Sequence, residues 1–329
     1  MSALLEVREA VVRHALGGGG TLTAVDGVSL ALQDGEILGL VGESGCGKTS
    51  LGRAILGLAP LASGEIVWEG RRIDALPRRA FRALRGDMQL VFQDPHACFD
   101  PRMTLAESVA EPLRALAAGI GAAARSARVQ AALAEVGLDP ETGARYPHQV
   151  SGGQLQRAGI ARALVPAPRF LVCDEPVSAL DVSVQGQIVN LLARIRREHR
   201  LASLFISHNL AVVARLSERI LVMYRGRIVE SAPREALLRA PRHPYTRLLL
   251  DSVPDPRPAL ARRLLAVVRA SPAPLAEAGA GCPFAARCPW VLARCLESAP
   301  TVRPISEGRL AACHRADEWP GGLLPAAAP

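Results

Sequence analysis

The run Gly42-Glu43-Ser44-Gly45-Cys46-Gly47-Lys48-Thr49 fits the pattern G-x-x-x-x-G-K-[ST] at every fixed position. Glycines at this spacing let successive backbone N–H groups turn inward around phosphate oxygens, and a helix that begins at the end of the loop adds a favourable dipole. Lys48 would then reach the outer phosphates, while Thr49, followed by Ser50 at the helix start, offers a hydroxyl to Mg2+. A purely structural glycine turn is the competing reading. The flanking sequence favours the phosphate loop, because it joins an apolar run, Ile37 to Val41, to an apolar helical stretch, Leu51 to Leu58.

A second constellation lies downstream. Phe170-Leu171-Val172-Cys173 is a short apolar strand that ends in Asp174-Glu175, and open parallel sheets bind ligands at the C-terminal ends of their strands. Asp174 would hold Mg2+, and Glu175 would orient and polarise an attacking water. Alone, two carboxylates at a strand end are unremarkable and would be solvated. Behind a complete phosphate loop they point to hydrolysis of a nucleoside triphosphate.

Composition sharpens the reading of Lys48. The chain has 39 basic residues, and Lys48 is its only lysine, leaving 38 arginines. Nucleotide-level bias accounts for the arginines, with the one surviving lysine left to chance; the alternative reading is chemical. A compact ammonium on a flexible stem fits a tight site that a planar guanidinium does not. The net charge of +8 is spread over helical stretches such as Arg194, Arg196 and Arg197, which read as solvated faces, and aromatics are only 4% of the chain. Both observations argue against a nucleic-acid platform. No apolar run is long enough to cross a membrane, and the N-terminus lacks a signal-peptide layout.

Several elements must position these residues. Val25 to Leu32 and Ile37 to Val41 read as strands, Gly64 to Ile73 as a hairpin, and residues 104–138 as mostly helical. Phe170 to Cys173 and Ala202 to Ile206 are further strands, separated by the helical Val184 to Glu198. This alternation predicts a parallel sheet. Beyond Pro241, recurrent prolines and then Cys282, Cys288, Cys295 and Cys313 predict a linker and a small accessory domain.

With Ser151-Gly152-Gly153-Gln154 in QVSGGQLQR, the sequence resembles the ABC ATPase family. Gln93 in VFQDP, Ser178-Ala179-Leu180-Asp181 and His208 in FISHN follow that family's order. The resemblance implies an α/β core of the P-loop NTPase type with an antiparallel β subdomain and a helical insert at about 97–165, working as a head-to-tail dimer. It implies ATP and Mg2+ as cofactors, with Thr49, Gln93 and Asp174 at the metal. Glu175, His208 and Lys48 would be catalytic, Gln93 and His208 would sense the γ-phosphate, and Asp181 would signal across the dimer. Ser151 to Gln154 would close over ATP held by the other subunit. The family's adenine-stacking aromatic is missing, which leaves His14 or Val25 to meet the base.

Arg242-His243-Pro244-Tyr245-Thr246 resembles the segment that marks ATPase subunits of dipeptide, oligopeptide and nickel importers. The expected organisation is a nucleotide-binding domain over residues 1–240 and a linker with a Cys-rich C-terminal domain over 241–329. Five, six and seventeen residues separate the four cysteines. Four thiolates can hold zinc or an iron–sulfur cluster, or stay unligated. The resemblance implies a four-iron four-sulfur cluster. It also implies a second ATPase subunit, two permease subunits, an extracytoplasmic binding protein and a place on the cytoplasmic face of the cell membrane. A nickel or glutathione importer and a soluble ABC ATPase are the alternatives.

Overall fold

The computed structural model describes residues 3–17, 19–116, 119–252 and 280–318. Two sheets organise them. A four-stranded antiparallel sheet has the order β2 (Thr21–Leu32), β1 (Leu5–Ala15), β4 (Ser63–Trp68), β5 (Arg71–Arg72). An eight-stranded sheet is parallel across β9 (Arg219–Tyr224), β3 (Ile37–Val41), β8 (Ala202–Ser207), β7 (Phe170–Asp174) and β6 (Met88–Val91). Its other end is antiparallel, through β10 (Arg227–Pro233), β12 (Arg309–Ala311) and β11 (Arg303–Ser306).

The central strands are apolar on both faces because both are covered. Side chains alternate across a strand, so Ile37 and Val41 enter one core while Leu38 and Leu40 enter the other. Leu171 and Cys173 divide from Phe170 and Val172 in the same way. The first core is shared with the helices Leu105–Leu116, Ala122–Glu135 and Gly152–Leu164, which bury Val109, Leu133 and Leu155. The second lies under the antiparallel sheet, where Leu5, Leu32 and Ile66 are buried. The phosphate-loop helix, Lys48–Ile55, is sandwiched there and buries Leu51 and Ile55. Among the described residues, no helix is long and apolar enough to cross a membrane.

The C-terminal region departs from expectation. Instead of forming a free-standing Cys-rich domain, its hairpin β11–β12 extends the main sheet, with Glu230 opposite Ala311 and Ser231 opposite Leu310. Phe284 is 1% exposed and belongs to the first core, against which Cys282 and Cys288 pack. The physical reason is the edge of β10, whose open N–H and C=O groups the hairpin satisfies. Part of the expected linker is also structured, since Pro244–Asp251 is a helix; residues 253–279 lie outside the described residues.

A buried carboxylate fastens this join. Glu230, fully buried, accepts the backbone N–H groups of Arg242 (2.8 Å) and His243 (2.9 Å) and faces Arg309 at 3.6 Å. Burial pushes its carboxyl above the usual range, against the pull of these donors. His243 in turn caps the helix: its Nδ1 accepts the Tyr245 N–H at 3.0 Å. Burial drives this imidazole down to about 3, so Nδ1 stays an acceptor.

Candidate nucleotide-binding site

The phosphate loop leaves β3 and ends at Gly47, the N-cap of the helix Lys48–Ile55. Gly47 has φ 106°, and a Cβ there would lie 2.0 Å from the Ala24 carbonyl oxygen. No other residue fits, because both the left-handed backbone and the close approach exclude a side chain. Lys48 is 4% exposed and folds back along the loop, its Nζ donating to the carbonyls of Gly42 (2.8 Å) and Glu43 (3.0 Å). The ammonium also stands 3.7 Å from Glu175 Oε1.

The parallel register brings the second constellation to the same place. β7 delivers Asp174 beside the loop, where Thr49 Oγ1 donates to Asp174 Oδ1 at 2.8 Å. An octahedral Mg2+ with bonds of about 2.1 Å sets neighbouring oxygens about 3 Å apart. The Thr49 and Asp174 oxygens therefore fit as adjacent ligands without rearrangement. Burial raises the Asp174 carboxyl above its ordinary range; the Thr49 bond opposes this, and the Glu175 charge adds to it.

Glu175 is 7% exposed, and its carboxylate is held at both oxygens. Oε2 lies 2.9 Å from His208 Nδ1, while Oε1 faces Lys48. Its backbone sits at φ 45°, in the left-handed region that non-glycine residues rarely adopt. The turn is locked by the Glu175 N–H to the Ile206 carbonyl (3.0 Å) and by Ser178 Oγ donating to the Glu175 carbonyl (3.1 Å). Strain of this kind concentrates at functional sites, where surrounding bonds over-determine one geometry. His208 is half exposed and open to a ligand on the outer side.

Among the described residues, Gln93, Ser151, Gly152, Gly153, Gln154 and Asp181 make no hydrogen bond or ion pair to this cluster. Ser151 is the N-cap of the helix Gly152–Leu164, and Ser151 and Gln154 hydrogen-bond to one another in a capping box. The turn is exposed at Ser151 and Gly152. Gly153 is required for packing, since a Cβ there would come within 2.8 Å of Val184 Cγ1. Asp181 begins the helix Val182–His199 without capping it through its side chain, and Gln93 is exposed after β6. A single chain thus assembles Lys48, Thr49, Asp174, Glu175 and His208, and leaves Ser151 and Gly152 exposed.

Of the two residues expected near the base, Val25 is fully buried opposite Val12. His14 is exposed, and its Nε2 lies 2.9 Å from Ser50 Oγ at the start of the phosphate-loop helix. Of the two, His14 alone is exposed beside the start of that helix.

Sequence reasoning missed Tyr245 and Arg287. The Tyr245 hydroxyl accepts the N–H of Glu43 at 2.8 Å, and the Arg287 guanidinium makes paired 2.8 Å bonds to the Glu43 carboxylate. The only signal was Tyr245 inside the RHPYT run, which read locally as a turn opening a helix.

All four C-terminal cysteines line one small cavity, and all are free of disulfides. Burial pushes Cys288 up to about 11 and Cys313 up to about 12, with the other cysteines adding to the rise at both. Among the described residues, no three of these sulfurs lie within 4.8 Å of one another. Tetrahedral zinc with Zn–S bonds of about 2.3 Å holds its thiolates about 3.8 Å apart. As placed, the four sulfurs are too widely spread to hold one zinc ion together.

Fold and site together define a P-loop NTPase. The ABC transporter family profile matches residues 25–178, and the profile of the oligopeptide/dipeptide transporter C-terminal region matches 229–295. The oligopeptide transport ATP-binding protein OppF of Escherichia coli K12 is 46% identical over 290 residues, 88% of this chain and 85% of its own length. The putative oligopeptide transport ATP-binding protein YkfD of Bacillus subtilis is 44% identical, over 94% of this chain and 95% of its own. A solved dimer of the ATP-binding cassette MJ0796, bound to ADP and Pi, superposes with a TM-score of 0.64 at 26% identity, covering 70% of this chain and 98% of that one. The chain belongs to the ATP-binding proteins of the ABC transporter family.

Proposed function

We propose that this chain hydrolyses ATP to energise an importer of peptides. The observation that carries this reading is that relatives named for oligopeptide transport match along nearly the whole chain, the C-terminal region included. ATP would lie on Gly42 to Ser50, its phosphates on the loop N–H groups, with Lys48 Nζ turning from the Gly42 and Glu43 carbonyls to the outer phosphate. Thr49, Asp174 and Gln93 would hold Mg2+, which when bound neutralises charge on the phosphate oxygens. Glu175 orients and polarises the attacking water; His208 holds the Glu175 carboxylate and meets the γ-phosphate. The turn of a second ATPase subunit that corresponds to Ser151 to Gln154 closes over that phosphate, and Asp181 relays closure across the dimer. The second subunit is a different chain in this reading, so the pair is a heterodimer.

The pair sits on the cytoplasmic face of the cell membrane beneath two permease subunits, which receive peptide from an extracytoplasmic binding protein. Residues 1–240 do the nucleotide chemistry, and 241–329 form the importer-type tail, whose Cys282, Cys288, Cys295 and Cys313 hold a four-iron four-sulfur cluster. Affinity purification from membranes tests the assignment. Recovery of permeases and a peptide-binding protein is the expected result; a nickel-binding partner shifts the cargo, and recovery with ribosomes or DNA overturns transport.

His14 supplies the flat surface against the base. His14→Ala is expected to weaken ATP binding about fivefold, and His14→Phe to match or exceed the parent, as read by competition with a fluorescent nucleotide. Equal affinity in all three proteins would assign base contact elsewhere.

A further inference from the structure

Glu43 is the point where the C-terminal region touches the phosphate loop. Its carbonyl accepts Lys48 Nζ, its N–H donates to the Tyr245 hydroxyl, and its carboxylate takes both arms of Arg287. The Arg287 side chain is only 15% exposed and lies 5.8 Å over the rings of both Tyr224 and Phe284. Phe284 packs on Tyr224, Tyr245 and His243. A planar fork, packed on one side by two rings and doubly bonded, has little freedom to move independently of its backbone.

That backbone belongs to the cysteine turn. Arg287 directly precedes Cys288, and the turn is closed by Ala285 N–H to the Cys282 carbonyl, Arg287 N–H to the Phe284 carbonyl and Cys288 N–H to the Ala285 carbonyl. Cys282 N–H is in turn bonded to the Cys295 carbonyl at 2.7 Å. Four cysteines with a common ligand would fix the turn at both ends, and cysteines without one would free it. Any displacement of Arg287 pulls on Glu43, whose carbonyl holds the phosphate-binding ammonium.

We propose that Arg287 is a positioning residue of the phosphate loop, through which the state of the four-cysteine site sets the affinity for nucleotide. The last link rests on the cysteines holding a metal group; the Arg287–Glu43 link does not. The bonds of Arg287 run to the Glu43 side chain and not to Lys48 or Thr49, so the expected effect is one of loop geometry.

The test uses the full chain prepared without oxygen, with ATP affinity by fluorescent-nucleotide competition, iron and zinc content, and thermal unfolding measured on each protein. Arg287→Met is expected to weaken ATP binding about tenfold, with metal content and unfolding temperature retained. Arg287→Lys, which keeps the charge but not the paired geometry, should fall between Arg287→Met and the parent. Glu43→Gln should weaken binding similarly, and the double variant no further than the weaker single one. Cys288→Ser should weaken binding in the parent and add nothing in the Arg287→Met background.

Parental affinity in Arg287→Met, or independent additive losses from Arg287→Met and Glu43→Gln, would overturn the proposal. So would Cys288→Ser with parental affinity. Should Arg287→Met unfold early, Arg287→Lys and Cys288→Ser still decide it. Absence of iron and zinc from the parent would refute the metal reading and the link from the cysteines to nucleotide affinity, but not the Arg287–Glu43 link, because the Arg287→Met loss is expected whatever the cysteines hold.

Discussion

Replacing Glu175 by Gln is expected to lower ATP turnover by about 10²- to 10⁴-fold while leaving ATP binding intact. The amide keeps the size and the left-handed turn, which depends on backbone bonds to Ile206 and Ser178 and not on the carboxylate. It removes the negative charge that would polarise water in the proposed reaction, at the carboxylate that faces both Lys48 and His208. His208, half exposed, would retain a hydrogen-bond partner in the Gln carbonyl oxygen. Loss of phosphate release with unchanged nucleotide affinity is the predicted pattern. Unchanged turnover would remove the assignment of Glu175 as the water-activating group.

Lys48→Arg, neutral in formal charge, should cost about 10²-fold in hydrolysis. The ammonium occupies a slot that is 4% exposed and closed by the carbonyls of Gly42 and Glu43. A guanidinium is broader, cannot rotate its donors independently, and would displace either the loop or the Glu175 carboxylate 3.7 Å away. Steady-state phosphate release with a parallel unfolding curve separates this from a folding defect. An arginine variant with parental turnover would mean that charge alone suffices at this position.

The parallel core was legible because its signals are local. β3, β7 and β8 are short apolar runs bounded by turn residues or carboxylates, and the phosphate-loop helix follows its glycines directly. His208 was legible only by its place after a strand. Its bond to Glu175 joins residues 33 positions apart and has no periodic signature. The C-terminal region misled in the opposite way. Prolines and clustered cysteines suggested a separate unit, yet the hairpin Arg303–Ser306 and Arg309–Ala311 completes the ATPase sheet. Short strands carry little pattern, and pairing with β10 across some eighty positions is decided by an open edge and the buried Glu230, neither of which a linear reading can see.

The sequence by itself supplied the residues that could do chemistry: a G-x-x-x-x-G-K-T loop, a lone lysine, a strand ending in Asp174-Glu175, and the turn Ser151 to Gln154. These are short-range facts, because each needs only a backbone conformation and a residue type. The tertiary structure alone decided what surrounds them. Val25 went into the core and left His14 exposed beside Ser50; Tyr245 and Arg287, about 200 and 244 positions from the loop, came to hold Glu43. Such contacts arise from packing and from satisfying buried donors, which depend on which surfaces meet in space and not on spacing along the chain.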